Sequence, residues 1–211
     1  MSAPRPPEIT LVGQPHKERS DAARNRTRLL DVAARLVAEH GAQNVTMDQI
    51  ATAAGVGKGT VFRRFGDRTG LMRALLDHAE RVFQQAFLTG PAPLGPGASP
   101  ADRLRAFGAA TIEHRLRYRD MYLAAEEPAA QRYANDPPRD LLGRHIATLL
   151  AAAGATGDLE VLTESLLAYL DMPLLNHLST RRGMSIERIA AGWVELAERA
   201  IRPAPHLPEV P

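Results

Sequence analysis

Residues 55–71, GVGKGTVFRRFGDRTGL, decide the fold, because the first six letters look like a loop built to hold phosphate. A nucleotide-binding P-loop needs G-x-x-x-x-G-K-[ST], with a metal-binding hydroxyl directly after the lysine and a buried strand before the loop. Here Lys58 is followed by Gly59, so the hydroxyl is out of register. The preceding segment, TMDQIATAA (46–54), places Met47, Ile50, Ala51 and Ala54 at intervals of three and four, a helical period. Thr46 and Gln49 match a capping box, which satisfies the free amides of that helix's first turn. The glycines at 55, 57 and 59 do not fit the dinucleotide pattern G-x-G-x-x-G either. The phosphate that suits this stretch is that of a nucleic-acid backbone.

Working outward, the helix from Thr46 ends near Gly55, and the turn GVG leads into a brief helix, KGTVFRRF, stopped by Gly66. A fourth helix starts at the N-cap residue Asp67 and runs through LMRALLDHAERVFQQAFL. Upstream, a first helix is expected from about Asp21 to His40. Leu29, Val32, Ala33, Leu36 and Val37 form its apolar stripe, and Gly41 is its stop. Two short helices joined by a tight glycine turn make a helix-turn-helix. Val61 and Phe65, four apart, face the first two helices, leaving Lys58, Thr60, Phe62, Arg63 and Arg64 outside. A short helix with cations, a hydroxyl and an aromatic, opened by glycines, suits the DNA major groove. Arg63 or Arg64 can pair bidentately with guanine, and Lys58 with the first amides of the helix can meet phosphate. The same letters also describe a solvated arginine pair on a surface helix.

Composition narrows the rest. The 211 residues include no cysteine, which removes disulfides and thiolate metal sites. The seven histidines show no metal-ligand spacing, and no nucleophile-base-acid set stands out, so neither a metal, a cofactor nor an enzyme is expected. There is no apolar run of membrane length and no signal-like apolar segment at the N-terminus; a cytoplasmic protein is the expectation. The net charge is +2, but residues 1–68 carry +4 and residues 69–211 carry −2, so the basic excess lies beside the helix-turn-helix.

Proline marks the boundaries: four of 16 fall in the first 15 residues, four in 91–100 and four in the last nine. The ends read as tails, 1–20 and 203–211, and TGPAPLGPGASP (89–100) as a linker or long loop. No alternating strand pattern appears, and the chain reads as all-α. Further helices are expected near 102–119, 121–126, 139–153, 159–178 (kinked by Pro173) and 185–201. Glu126 and Glu127 read as a solvated helix end. A dimer bundle is expected from Leu159, Leu162, Leu166, Tyr169 and Leu170 with Ile189, Trp193, Leu196 and Ile201.

From Thr27 to Leu76 the order of residues resembles the DNA-binding domain of the tetracycline-repressor (TetR) family of bacterial transcriptional regulators. The likeness rests on LLDVAARLVAEHGAQNVTMDQIATAAGVGKGTVFRRFGDRTGL: a helix ending in Gly, a Thr-capped helix containing IA, then AGV, KGT, an aromatic, Phe and a charged start to the fourth helix. It implies a three-helix DNA-binding domain over 21–68, joined by the fourth helix to a helical domain over 69–202 that binds a small effector and dimerises through its last two long helices. It further implies a homodimer on a palindromic operator that acts most often as a repressor. By this resemblance Thr46 meets phosphate; Lys58, Gly59 and Thr60 contact bases and phosphate; and Arg68 stands where a lysine touches the backbone. Three departures are visible. Phe62 replaces the usual Tyr, Arg64 a common His, and Gly57 a frequent Ser that caps the third helix.

For the effector, Thr111, His114, Tyr118 and Tyr122 are candidates, since 111, 114 and 118 share a helical face; Asp171 and His177 are two more. Two rivals keep the DNA-binding domain: a regulator without a ligand, and an architectural binder of low specificity.

Overall fold

The computed structural model describes residues 15–124 and 137–202, so the outer tails, Glu126, Glu127 and Pro128 lie outside the described residues. No strand occurs among the described residues. The helices are α1 (Pro15–His40), α2 (Met47–Ala54), α3 (Lys58–Phe65), α4 (Arg68–Thr89), α5 (Pro100–Arg117), α6 (Arg119–Ala124), α7 (Pro137–Ala152), α8 (Leu159–Leu170), α9 (Met172–Asn176) and α10 (Ile186–Ile201). The chain divides into two compact units, Met1–Leu71 and Met72–Pro211, with the division inside α4.

In the first unit α1 packs on α2 and α2 on α3. Leu29, Leu30, Val32, Ala33 and Val37 of α1 are buried, as are Ile50, Ala51 and Ala54 of α2 and Val61 and Phe65 of α3. Burial of these side chains at the helical period is what makes helices as short as α2 and α3 stable, since eight residues cannot hold a helix by propensity alone. The capping box is complete: Gln49 N–H donates to Thr46 Oγ1 at 3.2 Å, and Thr46 N–H donates to Gln49 Oε1 at 2.8 Å. Gly55 closes α2 in the left-handed region (φ 66°), where its amide reaches the carbonyls of Ala51 and Thr52. Asp67 caps α4 by accepting from Gly70 N–H at 2.7 Å.

The helix α1 begins at Pro15, six residues before the Asp21 expected from the apolar stripe. Proline at a first helical position gives up no hydrogen bond, and no glycine interrupts 15–28; the stripe marks where packing begins, which is not where the helix begins.

The second unit is built on α5 and α10. Trp193 is fully buried, donates from Nε1 to Leu104 O at 3.1 Å, and lies across α5 where Gly108 offers no side chain. Around it gather Phe83 and Phe87 of α4, Phe107 and Ile112 of α5, Ile146 and Leu150 of α7, Leu166 and Leu170 of α8, and Leu175 of α9. The proline-rich stretch 89–100 is a turn within this unit: Gly95 N–H donates to Pro91 O at 2.8 Å and Leu94 packs on the core.

Two expectations are corrected here. The single kinked helix over 159–178 is two helices, because Asp171 turns extended (φ −62°, ψ 137°) and α9 restarts beyond it, ending in a π-helical turn (His177–Arg181). Pro173 supplies no N–H for the carbonyl four residues back, and its ring opposes that carbonyl, so the ladder stops. The expected dimer stripe is also divided: Leu166, Leu170, Ile189 and Trp193 are buried within the chain, whereas Leu196 is exposed. Those four apolar faces serve the core of one chain and are not available to a second copy.

Candidate nucleic-acid interface and effector region

The outer face of α3 carries Lys58, Phe62 and Arg63 exposed, with Thr60 and Arg64 half-buried. The inner face, Val61 and Phe65, fixes its orientation on the first unit. No side chain caps α3, because Gly57 occupies the cap position with nothing to offer the first amides. Those amides face outward at the positive end of the helix, where an anionic oxygen can take the place of a cap.

Lys58 Nζ sits 2.8 Å from Asp48 Oδ2 and 5.7 Å from the Phe62 ring centroid. Both charged side chains are more than half exposed, so the pair holds the lysine weakly and a phosphate can take it over. Arg68 donates from Nη2 to Ala42 O at 2.6 Å, tying the start of α4 to the 3₁₀ turn Ala42–Asn44. This bond uses one of five guanidinium donors and leaves others for a ligand. Thr46 is exposed, with its hydroxyl engaged in the capping box; Gly57 and Gly59 are exposed and would tolerate a Cβ without collision.

Residues 29–75 match the family model of bacterial regulatory proteins of the tetR family. This segment is a DNA-binding domain of the TetR family. An HTH-type transcriptional regulator of Staphylococcus aureus strain USA300 is 42% identical to this chain over 65 residues, 31% of this chain and 35% of that protein. The match thus spans about a third of the curated relative. Among solved structures, a TetR-like transcriptional regulator from Rhodococcus sp. RHA1 matches 83% of this chain and 94% of its own, at TM-score 0.53 and 21% identity. A TetR-family regulator from Streptomyces coelicolor matches 90% and 96%, at TM-score 0.56 and 21% identity. A transcriptional regulator from Saccharomonospora viridis, solved in complex with choline, matches 83% and 96%, at TM-score 0.60 and 22% identity. At these identities the likeness is one of fold.

In the second unit three of the six effector candidates come together. His114 stacks on Phe83 at 4.6 Å between centroids, with Tyr118 at 5.2 Å and Tyr122 at 6.2 Å. The Tyr122 hydroxyl donates to Glu80 Oε1, and His114 Nε2 lies 3.4 Å from the same oxygen without forming a hydrogen bond. Burial raises the pKa of Tyr118. Thr111 is spent on its own helix, donating to Phe107 O at 2.7 Å. Asp171 belongs to a separate group, 3.9 Å from both Arg115 Nη1 and Arg139 Nε, while Arg139 Nη1 donates to Glu164 at 2.9 Å. His177 is exposed, in the π-helical turn.

Two features went unread in the sequence. Open grooves of about 440 and 500 Å³ flank α8; the first is lined by Arg139, Gly143, Arg144, Thr163 and Leu167, and none of the six candidates lines either. The other is His145, held between Phe87 (4.7 Å) and Phe107 (4.8 Å). Burial, helped by Arg103, lowers its pKa from 6.5 to about 4. Both features depend on neighbours from α4, α5 and α8 that no local pattern connects to α7.

Proposed function

We propose that this chain is a homodimeric, cytoplasmic, ligand-responsive repressor of the TetR family that binds a palindromic operator. The observation that carries the DNA reading is the outer face of α3: a glycine-introduced helix anchored by Val61 and Phe65 that presents Lys58, Phe62 and Arg63 to solvent. Arg63 is assigned to base reading ahead of Arg64, because Arg64 is half-buried and already engaged within the protein. Lys58, Thr60 and the uncapped backbone amides of Lys58 and Gly59 meet phosphate, together with Thr46 and Arg68. Phe62, lacking a phenolic hydroxyl, contributes an apolar surface of the kind that contacts a thymine methyl. Two copies place their α3 helices one duplex turn apart, about 34 to 36 Å, on an inverted repeat. Arg63→Ala is expected to weaken operator binding by about 1–3 kcal/mol and to leave random-duplex binding nearly unchanged. Equal losses on both duplexes would reassign the side chain to phosphate.

The effector reading is supported by Glu80. It stands on α4, the helix that starts in the first unit and continues into the second, and its carboxylate is held by Tyr122 beside His114. A ligand that competes for Glu80 therefore acts on the helix that carries the signal. Phe83, His114, Tyr118 and Tyr122 around a carboxylate suit a small organic cation, and the choline complex of the Saccharomonospora viridis regulator shows one such cation bound by a protein of this fold. Release from DNA follows only if the cation binds one arrangement of α4 more tightly than the other. Operator affinity measured with and without choline and related ammonium compounds tests this; no change across the series would remove the effector site from Glu80.

A further inference from the structure

The cluster around Glu80 is short of hydrogen-bond donors. Glu80 and Phe83 come from α4, His114 from α5 and Tyr122 from α6, with Tyr118 at the end of α5. The side chain of Glu80 is 22% exposed and that of His114 11%, so water serves neither well. The Tyr122 hydroxyl donates to Glu80 Oε1. His114 Nε2 lies 3.4 Å from the same oxygen, buried and without a hydrogen-bond partner. The imidazole is held there by stacking on Phe83, at 4.6 Å between centroids and 14° between planes, and by Tyr118 at 5.2 Å. An ionised carboxylate has acceptors only, and a neutral imidazole keeps one acceptor nitrogen. A buried acceptor left without a donor bears its full desolvation cost. The aromatic rings alone would draw any cation, quaternary ammonium ions included. Tyr122 already meets one, the Arg115 guanidinium 5.8 Å from its ring centroid. The acceptors are more selective: a quaternary ammonium has no N–H to give them, whereas a protonated amine gives charge-assisted hydrogen bonds.

We propose that the ligand of the Glu80 cluster is a protonated primary or secondary amine, its N–H groups taken by the Glu80 carboxylate and by Nε2 of a neutral His114, and that quaternary ammonium ions are discriminated against. The inference rests on the organic-cation reading above and narrows it to one chemical class. His114 is the residue that determines this specificity, and Glu80 supplies the charge.

The test is isothermal titration calorimetry of the full chain with ethanolamine and its N-methyl, N,N-dimethyl and N,N,N-trimethyl derivatives. All are singly charged cations near neutral pH, and each added methyl group removes an N–H. The dissociation constant of the trimethyl compound is expected to exceed that of ethanolamine by about fivefold to 150-fold, the reverse of the order a purely aromatic cage would give. His114→Phe keeps a ring on Phe83 and removes the acceptor nitrogen, so the gap between the two compounds should narrow. Glu80→Gln should weaken the whole series. Fluorescence of Trp193 during unfolding shows that each variant is folded, and the wild-type series needs no variant to decide. A trimethyl compound bound as tightly as ethanolamine overturns the proposal and leaves the organic-cation reading intact. An unchanged gap in a folded His114→Phe protein also overturns it. No binding of any of the four, or binding that Glu80→Gln leaves unaltered, overturns both.

Discussion

Replacing Gly108 with alanine tests the packing that holds the second unit together. A Cβ built at that position would lie 1.8 Å from Cε2, 2.0 Å from Nε1 and 2.1 Å from Cδ2 of Trp193. Carbon atoms pack at about 3.5–4.0 Å, so the indole would have to withdraw by about 1.5–2 Å. It has little freedom to do so, because the ring is fully buried and its N–H is bonded to Leu104 O on the same helix. Overpacking of this kind costs about 1–3 kcal/mol, and stranding the indole N–H adds about 1–3. Against this, alanine in a helix interior recovers about 1 kcal/mol over glycine. The expected net loss is about 1–5 kcal/mol. Trp193 is the single tryptophan of the chain, so its fluorescence during urea unfolding reports on this unit alone. Gly143→Ala is the control: its nearest neighbour is the flexible Leu167 Cδ1 at 3.1 Å, and near-neutral stability is expected. A Gly108→Ala protein as stable as its parent, with unaltered emission, would refute the reasoning.

Three other outcomes follow from the structure. Thr46→Ala removes the capping box of α2 and is expected to cost the first unit about 1 kcal/mol, measurable by thermal unfolding. His145 makes the second unit sensitive to acid. Above about pH 6.5 the imidazole is neutral in both folded and unfolded chains; between 6.5 and about 4 the unfolded chain takes up a proton that the fold refuses. Stability of this unit should therefore fall by about 2 kcal/mol across that window as pH drops, once solvent screening is allowed for, and His145→Phe should flatten the profile. Tyr122→Phe removes the hydroxyl that holds Glu80 and is expected to destabilise the second unit by about 1–2 kcal/mol in the same fluorescence assay.

The parts of the molecule that could be read in advance are those set by local chemistry. The Thr46 and Gln49 box, the left-handed Gly55, the cap at Asp67 and the inward pair Val61 and Phe65 are each decided within four residues, and each is in place. The misreadings are of two physical kinds. Apolar periodicity reports packing, so it missed the polar turns of α1 before Leu29 and treated Leu166, Leu170, Ile189 and Trp193 as a face for a partner when they fill the chain's own core. Contacts between distant segments leave no local trace. Trp193 meets Leu104 across 89 residues, and Glu80 meets Tyr122 across 42. Proline gave a sound warning at 173, but whether a helix bends or breaks there depends on what the freed carbonyl and the next turn can reach. In the first unit most of the candidate residues lie on one short helix, where sequence order fixes which share a face; in the second unit the sequence placed His114, Tyr118 and Tyr122 near one another along α5 and α6, which the structure brings together, and left out Glu80, which comes from α4.

The central claim is that α3 reads DNA sequence in a symmetric pair of copies. Selection from a random duplex library by the full chain, with the mass of the bound species measured alongside, tests it most directly. The account predicts an enriched inverted repeat, half-sites about one duplex turn apart, occupied by two chains. Binding without enrichment, lost as salt rises, would contradict it and leave a low-specificity architectural binder.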